Sequence, residues 1–312
     1  MTTSISRVGI VAKRGLAAAD QLEHLSQWLR ERGVTPVYET ETAGLARAGM
    51  SVGAGARSSG SDATAGKALA EPRSRDDLPK ETDLIIVLGG DGTLLSMATR
   101  IATAGRDIPI LGVNFGSLGF LTETRIGELY ANLESVLNGT AVFDERTMLI
   151  AEAHRSREPF DSRIVLNDVV FTKAALSRII ELNVSVSTGT VTKVKADGLI
   201  VASATGSTAY NLAAGGPIVH PRVDAIVLTP IASNTLTNRP IVIPGSEVIS
   251  VRPYINDNAD EIYVTYDGQT GYPLQKGDEV RIRKAPQRLR LVKAPARNYF
   301  ELLREKLKWG ER

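Results

Sequence analysis

The first 145 residues alternate between short apolar runs and longer segments in which apolar side chains recur every three or four positions. The short runs are typical of strands that are buried on both faces of a parallel sheet, and the longer segments have the period of amphipathic helices. The short runs lie at 7–13, 35–39, 83–88 and 107–114. The periodic segments lie at 17–32, 94–104 and 125–138. Strands that alternate with helices predict a doubly wound, Rossmann-like α/β domain over residues 1–145.

From residue 147 the pattern changes to successive short strands that are separated by turns. These strands are predicted at 148–154, 163–172, 179–187, 190–195, 199–203, 225–229, 248–252, 262–266 and 279–283. Strands joined by short turns pair antiparallel, so residues 146–297 are expected to form a β-rich, β-sandwich-like domain. A helical pattern over 299–309 closes the chain, and this return to helix indicates that residues 298–312 pack back on the first domain.

Residues 41–80 interrupt the first domain with a segment that is rich in glycine, alanine and serine and has almost no large apolar residue. A connection of this length is uncommon inside a compact domain, and it is typical of a flexible insertion or a functional lid. We expect an insertion that adds little to the core.

Composition narrows the functional classes. A chain of 312 residues with 43% hydrophobic content is long enough for two domains with separate cores. Lys and Arg exceed Asp and Glu by 37 − 35 = 2, without a long basic run, which argues against nucleic-acid binding. The absence of cysteine excludes disulfides, thiolate metal sites and a thiol nucleophile. The sequence has neither a membrane-span pattern nor a signal-peptide core, so we expect a cytoplasmic protein without a membrane partner.

The sequence Gly89-Gly90-Asp91-Gly92-Thr93 lies at a predicted strand-to-helix turn. Glycine permits positive φ angles and close approach of a ligand, and the free N–H groups of a helix start attract anions, so the glycines and the threonine are candidate phosphate contacts. Asp91 is the only carboxylate in the turn, where it is suited to take a proton from a substrate hydroxyl or to orient Mg²⁺. The same residue types also serve as ordinary turn and N-cap residues, so this motif is weak without its context.

A second loop of the first domain follows the strand that ends at Asn114, and it carries two glycines and Phe120. The carboxyl ends of neighbouring strands in an open α/β sheet converge on one crevice. We therefore expect this loop and the glycine turn to open onto the same crevice, although Phe120 is equally consistent with ordinary packing.

Two polar features stand out in the β-rich half. Asn167 and Asp168 interrupt an apolar strand, and two adjacent polar residues cannot both face a dry core without partners. Residues 195–217 gather hydroxyls, turn glycines and the ring of Tyr210, and Ser207 or Thr208 is expected to cap a short helix there. Such a set is suited to hydrogen-bond a nucleobase and ribose while the tyrosine packs on a ring.

Taken in chain order, these segments resemble the motifs of the NAD kinase family. The matching stretches are 89–93, 114–121, 167–168, 197–198, 205–210 and 215–217. The resemblance runs from about residue 83 to about residue 270. Its first motif is shared with diacylglycerol-kinase-like and phosphofructokinase-like enzymes, whereas the later motifs are more particular to NAD kinases.

The resemblance implies transfer of the ATP γ-phosphate to the 2′-hydroxyl of the adenosine ribose of NAD, giving NADP, with a divalent ion such as Mg²⁺. It assigns the general base to Asp91, and no protein ligand of the metal is predicted. The positions that it assigns to substrate binding are Asp91, Gly92, Phe120, Asn167, Asp168, Arg178, Lys195, Asp197, Thr208, Ala209, Tyr210, Asn211, Leu212, Ala213, Ala232 and Gln269. Relatives are commonly homo-oligomers, so a dimer or tetramer is expected.

A positioned general base contributes about 10²–10⁴-fold to a rate, so Asp91→Asn is expected to lose most turnover and to keep NAD binding largely intact. Two departures from the family pattern bear on affinity or regulation. Ala213 stands where many relatives have a serine, and residues 41–80 have no counterpart that we can match.

Two alternatives stay open at the level of sequence. A lipid or sugar kinase would share the glycine turn, but it would leave Asn167, Asp168 and the segment 208–210 unexplained. A non-catalytic dinucleotide sensor would tolerate loss of Asp91, whereas an enzyme would not. The choice between NAD and NADH and between ATP and polyphosphate also stays open.

Overall fold

The structure of the chain, a computed structural model, describes residues 5–15, 19–53, 71–116, 118–174, 179–233, 237–255, 261–294 and 297–310. The chain divides into two compact units. Unit 1 comprises Met1–Asp144 and Leu289–Arg312, and unit 2 comprises Glu145–Arg288.

The described part of unit 1 begins as a parallel sheet with helical connections. Its strands are β1 (Arg7–Ala12), β2 (Thr35–Tyr38), β3 (Leu84–Leu88), β4 (Pro109–Asn114) and β5 (Thr124–Arg125). Its helices are α1 (Ala19–Glu31), α2 (Thr40–Gly53), α3 (Leu78–Glu81), α4 (Asp91–Thr103) and α5 (Leu129–Leu137). The strands β2, β1, β3 and β4 are parallel neighbours in that order, and β5 pairs with β4. The predicted doubly wound α/β organisation is therefore confirmed.

The core of unit 1 forms around β3, which is buried at every position. A near-continuous apolar strand is what a sheet covered on both faces requires. Helix α1 packs Leu22, Leu25 and Leu29 into the same core, and it ends before Gly33, whose φ of 73° continues the chain out of the helix.

The expectation that residues 41–80 add little to the core is wrong at both ends of the segment. Its first part forms α2, which buries Ala43 and Ala46, and Leu78 of α3 is fully buried. Small alanine side chains let α2 lie close to its neighbours, so a core contribution exists without large apolar residues. Residues 54–70 lie outside the described residues.

The chain continues into unit 2 through β6 (Phe143–Arg155) and a series of further strands. They are β7 (Glu158–Val165), β8 (Asp168–Lys173), β9 (Ile180–Val186), β10 (Gly189–Ala196), β11 (Gly198–Ser203), β12 (Ala225–Ile231), β13 (Ile241–Pro244), β14 (Ile249–Tyr254), β15 (Ile262–Tyr266), β16 (Thr270–Leu274) and β17 (Glu279–Val292). Helix α6 (Tyr210–Ala213) follows β11 in sequence, and α7 (Tyr299–Leu307) follows β17. No helix in these described ranges is both long and apolar enough to cross a bilayer.

Unit 2 is built from antiparallel strands that enclose a second apolar core. One sheet has the order β13-β12-β11-β8-β15-β16, and a second set has the order β10-β9-β14-β17. Phe171 and Val201 of the first sheet share one buried cluster with Leu182 and Val251 of the second. This packing confirms the predicted antiparallel, β-rich fold of the second half.

Several strands differ from the sequence prediction. The segment 163–172 is not one strand, because it breaks at Leu166 and Asn167 into β7 and β8. The strands β13 and β16 were missed; each lies at an edge of its sheet and contains a proline, which weakens the strand signal. Strand β17 extends beyond the predicted segment 279–283 to Val292.

Candidate active site

The glycine turn of unit 1 connects the end of β3 to the start of α4. Gly90 is the N-cap residue, and Asp91 is the first residue of the helix. Gly89, Gly90 and Gly92 do not adopt positive φ angles, so the expected left-handed backbone is not what selects glycine here. A Cβ atom at Gly90 or Gly92 would meet no atom within 4 Å. The fold itself therefore has room for a side chain at both positions, and this space lies at the positive end of a helix dipole.

The carboxylate of Asp91 holds the second loop of unit 1. Its Oδ2 accepts a hydrogen bond from the N–H of Phe120 at 2.8 Å. Its Oδ1 accepts bonds from the N–H groups of Leu121 and Thr122 at 3.1 and 3.0 Å, and from the Thr122 hydroxyl at 2.9 Å. With three bonds on Oδ1 and one on Oδ2, Oδ2 is the oxygen with more capacity to accept a further hydrogen bond.

Gly119 makes this close contact possible. A Cβ atom there would lie 2.0 Å from Asp91 Oδ1 and 2.3 Å from the Thr122 hydroxyl oxygen, which no side chain can tolerate. Asn114 supports the same loop, because its amide donates to the Thr122 hydroxyl at 3.2 Å and its Oδ1 accepts the N–H of Gly116 at 2.6 Å. The structure therefore brings the two glycine-containing segments of unit 1 together through Asp91, as the sequence predicted for the strand ends.

In unit 2 the break between β7 and β8 is held by Asp267, a residue that the sequence pattern did not single out. Its carboxylate accepts hydrogen bonds from three consecutive N–H groups, those of Leu166 at 2.9 Å, Asn167 at 2.8 Å and Asp168 at 3.1 Å. Asp267 and Gly268 form the turn between β15 and β16 with φ angles of 50° and 63°. An Asp-Gly pair between two strand patterns is a strong hairpin signal, and it was the signal available for this residue.

The carboxyl group of Asp168 has a strongly raised pKa. It is 4% exposed, and burial, followed by the nearby charge of Asp267, raises the pKa of Asp168 to about 7. Asn167 is half-buried, and its carbonyl accepts the N–H of Ser203 at 2.8 Å. A Cβ atom at Gly206 would lie 2.1 Å from that carbonyl oxygen, so the segments 166–168 and 203–206 require a glycine where they meet.

The segment 205–213 is organised by buried polar side chains. Asn211 is fully buried; its amide donates to the carbonyls of Ser207 at 2.9 Å and Pro217 at 3.1 Å, and its Oδ1 accepts the Thr229 hydroxyl at 2.6 Å. These contacts bury the Asn211 side chain and give it a structural role, and the predicted contact of this position with a ligand stays a prediction. The predicted capping by Ser207 or Thr208 is wrong, since α6 has no side-chain cap.

The other predicted residues of this segment are more open. Thr208, Ala209 and Leu212 are half-buried and Ala213 is exposed. Tyr210 is 44% exposed, which leaves part of its ring available to a planar ligand.

The remaining predicted residues of unit 2 differ in their surroundings. Lys195 pairs with Glu181 at 3.1 Å, and Asp197 pairs with Lys173 at 2.9 Å. Ala232 and Gln269 are exposed, whereas Arg178 lies outside the described residues. To bind a ligand, Lys195 and Asp197 would each have to give up the ion pair with its protein partner.

The described residues contain no group of three or more His, Cys, Asp or Glu side chains that could hold a metal ion. The carboxylate of Asp91 is already used by four donors from its neighbouring loop. This donor set fits a Mg²⁺ ion that is bound mainly by the phosphates of a nucleotide, as is common for kinases.

Known proteins match both units. The ATP-NAD kinase N-terminal domain matches residues 8–141, and the ATP-NAD kinase C-terminal domain matches residues 166–294. An NAD kinase from Geotalea daltonii is 44% identical over 290 residues, which are 93% of this chain and 93% of that protein. These matches include the glycine turn of unit 1 and the segment 166–168 of unit 2.

Two solved structures share the fold. The crystal structure of yeast NADH kinase complexed with NADH has a TM-score of 0.84 at 24% identity, and the match covers 99% of this chain and 89% of that one. An NAD kinase from Archaeoglobus fulgidus in complex with ATP has a TM-score of 0.70 at 21% identity, with 97% and 98% of the two chains covered. At these identities the likeness concerns the fold alone.

Proposed function

The chain belongs to the NAD kinase family, and from that membership we propose that it transfers the γ-phosphate of ATP to the 2′-hydroxyl of the adenosine ribose of NAD. The observation that carries this proposal is the placement of Asp91 at the first position of α4, beside open space at Gly90 and Gly92. A carboxylate next to a site that favours phosphate is the combination that phosphoryl transfer to an alcohol needs.

We propose that the glycine turn holds phosphate groups of ATP. The N–H of Thr93 donates to the Gly90 carbonyl at 3.1 Å, so the N–H groups that helix geometry leaves for an anion are those of Asp91 and Gly92. The helix dipole adds positive potential at the same end. Gly90 and Gly92 leave room for phosphate oxygens to approach these groups. Gly89 and Thr93 are proposed as neighbouring contacts, because the Thr93 hydroxyl lies beside Gly89 in the turn.

We propose Asp91 as the general base. Its Oδ2 accepts the proton of the 2′-hydroxyl while the ribose oxygen forms a bond to the γ-phosphorus, and the bond from that phosphorus to the bridging oxygen breaks to release ADP. The four hydrogen bonds from residues 120–122 fix the orientation of the carboxylate in advance. Such fixed orientation lowers the entropy cost of the reacting arrangement.

A Mg²⁺ ion bound to the ATP phosphates would neutralise part of the charge that develops during transfer. The protein contributes the N–H groups of the glycine turn and the charge of Asp91 around that nucleotide. None of the described side chains is proposed as a dedicated metal ligand.

For unit 2 we propose that Asn167, Asp168 and Tyr210 contact NAD. A half-buried amide, a buried carboxyl group and a partly exposed aromatic ring are the groups that recognise a ribose and a purine. Lys195 and Asp197 stay proposed contacts that would leave Glu181 and Lys173 when the ligand binds.

The test is product analysis with the purified chain. It is incubated with ATP labelled at the γ-phosphate, Mg²⁺ and either NAD, NADH or diacylglycerol. We expect label in NADP when NAD is the acceptor, and the NADH reaction measures the preference between the two dinucleotides. Label in diacylglycerol, or binding of NAD without label in any acceptor, would contradict the proposal in favour of a lipid kinase or a sensor. Replacing ATP by polyphosphate tests the donor.

We also propose that the chain forms a homo-oligomer through the β13 edge of unit 2. Strand β13 ends its sheet, and its side chains Ile241 and Val242 are 37% and 50% exposed. An apolar edge strand is a surface that a second copy covers well. Light scattering should give a dimer or tetramer of the 33.5 kDa chain, and Val242→Lys should lower that mass. A wild-type mass of one chain would contradict this proposal.

A further inference from the structure

One carboxylate organises the whole segment on which the two polar residues of unit 2 lie. The N–H groups of Leu166, Asn167 and Asp168 all point to Asp267, at 2.8 to 3.1 Å. Three consecutive N–H groups converge in this way only where the chain curves around an acceptor, which is the bend that separates β7 from β8. Three charge-assisted bonds make this bend a fixed feature of the fold.

The hairpin in turn fixes Asp267. Its own N–H donates to the carbonyl of Asp168 at 3.0 Å, so main chain and side chain both contact the same segment. The positive φ angles of Asp267 and Gly268 are those of a tight hairpin turn. Asp267 is thus held by a rigid hairpin, and it holds residues 166–168.

Asp267 also affects the ionisation of its neighbour Asp168. On the neighbouring strand β11, the residue paired with Asp168 is Ala202. On β15, Tyr266 is paired with Val169, and its hydroxyl is hydrogen-bonded to that of Tyr272. Burial raises the pKa of Asp168 most, and among the described residues Asp267 is the one whose charge raises it further. Removing the negative charge of Asp267 therefore changes how easily Asp168 loses its proton.

We propose that Asp267 is a positioning residue for NAD: its carboxylate holds Asn167 and Asp168 in the orientation in which they contact the dinucleotide. This inference rests on the proposed function of unit 2. Asp267 acts through the main chain of residues 166–168 and does not itself need to touch NAD. A displacement of about 1 Å in a substrate-positioning group is enough to cost up to about 100-fold in activity.

The experiment compares Asp267→Asn with wild type and with Asp278→Asn as a matched control. Asp278 is also a buried turn aspartate of unit 2, which accepts the N–H of Gln275 at 2.8 Å and pairs with Arg155. For Asp267→Asn we expect the KM for NAD to rise about 10- to 100-fold, while the KM for ATP stays within about twofold. For Asp278→Asn the ratio of the two KM values should stay that of the wild type.

The pH profile separates positioning from a loss of stability. Wild-type kcat/KM for NAD should show an ionisation near pH 7, which is where the pKa of Asp168 lies. In Asp267→Asn this inflection should move to lower pH, because the neighbouring negative charge is gone. Asp267→Glu keeps the charge but lengthens the side chain, so it should retain the inflection and still raise the KM for NAD. It also serves as the second variant if the asparagine variant does not fold.

An unchanged KM for NAD together with an unchanged pH inflection in folded Asp267→Asn would overturn the inference. Equal rises in the KM values for NAD and ATP would overturn it too, because they would indicate a general structural defect. Titration of NAD binding by calorimetry separates the two proposals. A wild type that binds NAD without turnover contradicts only the proposed reaction, and the variants are then compared by their NAD affinity. A wild type that does not bind NAD overturns both.

Discussion

Two aspartates, one in each unit, make nearly the same set of hydrogen bonds. Asp91 accepts three consecutive N–H groups from residues 120–122, and Asp267 accepts three from residues 166–168. In both cases a carboxylate accepts the N–H groups of a short segment next to a strand, where ladder partners are missing. The hydrogen-bond pattern alone therefore does not tell a reacting carboxylate from a supporting one.

The surroundings of the two aspartates differ. Asp91 begins a helix next to two glycines whose missing side chains leave open space, whereas Asp267 lies in a hairpin turn next to the buried carboxyl group of Asp168. The first environment attracts phosphate, and the second raises the energy of additional negative charge. This contrast supports the proposals that Asp91 reacts directly and that Asp267 acts indirectly.

The largest expected effect comes from Asp91→Asn, which tests whether Asp91 takes part directly in the reaction. The amide cannot take the proton, so kcat should fall by about 10²–10⁴-fold and by more than the affinity for NAD. The new NH₂ group would also face the donors of residues 120–122, so hydrogen exchange of that loop should become faster. Both quantities follow from steady-state kinetics and exchange mass spectrometry.

Asp83→Asn is the matched control in unit 1, because the Asp83 carboxylate accepts the N–H groups of Ser6 and Arg7 at 2.9 Å, away from the glycine turn. It should keep wild-type kcat within about twofold, as is usual where no reacting group is touched. Near-normal turnover in Asp91→Asn would remove Asp91 from the role of base.

The second effect is the pH dependence of stability that comes from the buried carboxyl group of Asp168, next to Asp267. The pKa of Asp168 is about 7 in the fold and near 3.8 in the unfolded chain, so the folded state binds the additional proton between these values. The contribution of this group to stability is present below pH 4 and is lost as the pH rises to 7, by up to about 4 kcal/mol. Asp168→Asn removes this dependence. The free energy of unfolding, measured in urea, should therefore rise for the variant relative to wild type between pH 4 and pH 8. If the difference between the two proteins stays constant over this range, the raised pKa of Asp168 is contradicted.

The third effect tests the close contacts that both segments need. Gly119→Ala would place a Cβ atom 2.0 Å from Asp91 Oδ1, and Gly206→Ala would place one 2.1 Å from the Asn167 carbonyl oxygen. Each should lower the free energy of unfolding by about 1–3 kcal/mol, which is typical of overpacking. Gly127→Ala meets no atom within 4 Å and should change stability by less than about 0.5 kcal/mol. Equal stabilities for the three variants would contradict the described packing.

The smallest expected effect comes from Gly92→Ala, which should change stability and the KM for ATP in different ways. Gly92→Ala has space for its methyl group within α4, and it should stabilise the protein by about 0.5–1 kcal/mol because alanine favours the helix. The same methyl group should raise the KM for ATP. Gly44→Ala in α2 also has space and should give a similar stabilisation without a change in that KM. An unchanged KM for ATP in Gly92→Ala would contradict phosphate binding at this turn.

The fold was predictable where local pattern and final environment agree. Strand β3 reads as an apolar run because it is buried on both faces, and the antiparallel strands of unit 2 follow one another with short turns. Helix α2 was missed because its buried residues include Thr42, Ala43 and Ala46, whose side chains are small, so they do not form a pattern of large apolar residues. The edge strands β13 and β16 carry proline and exposed side chains, so their sequences resemble loops.

The site was predictable only in part, because hydrogen bonds across long sequence distances leave little local signal. Asp91 stood out within its glycine turn, but its contact with residues 120–122 depends on the neighbouring strand β4. Asp267 lies about a hundred positions from the segment that it holds. Asn211 was assigned to a ligand through the family resemblance, and the structure shows that its side chain already has three buried hydrogen-bond partners.

The most direct measurement is a crystal structure of the chain with NAD and a non-hydrolysable ATP analogue. The account predicts Oδ2 of Asp91 at about 3 Å from the 2′-oxygen of the adenosine ribose, with the γ-phosphate analogue at the N–H groups of the glycine turn. An Asp91 carboxylate that keeps its bonds to residues 120–122 while the 2′-oxygen lies beyond about 6 Å, next to a different base, would contradict it.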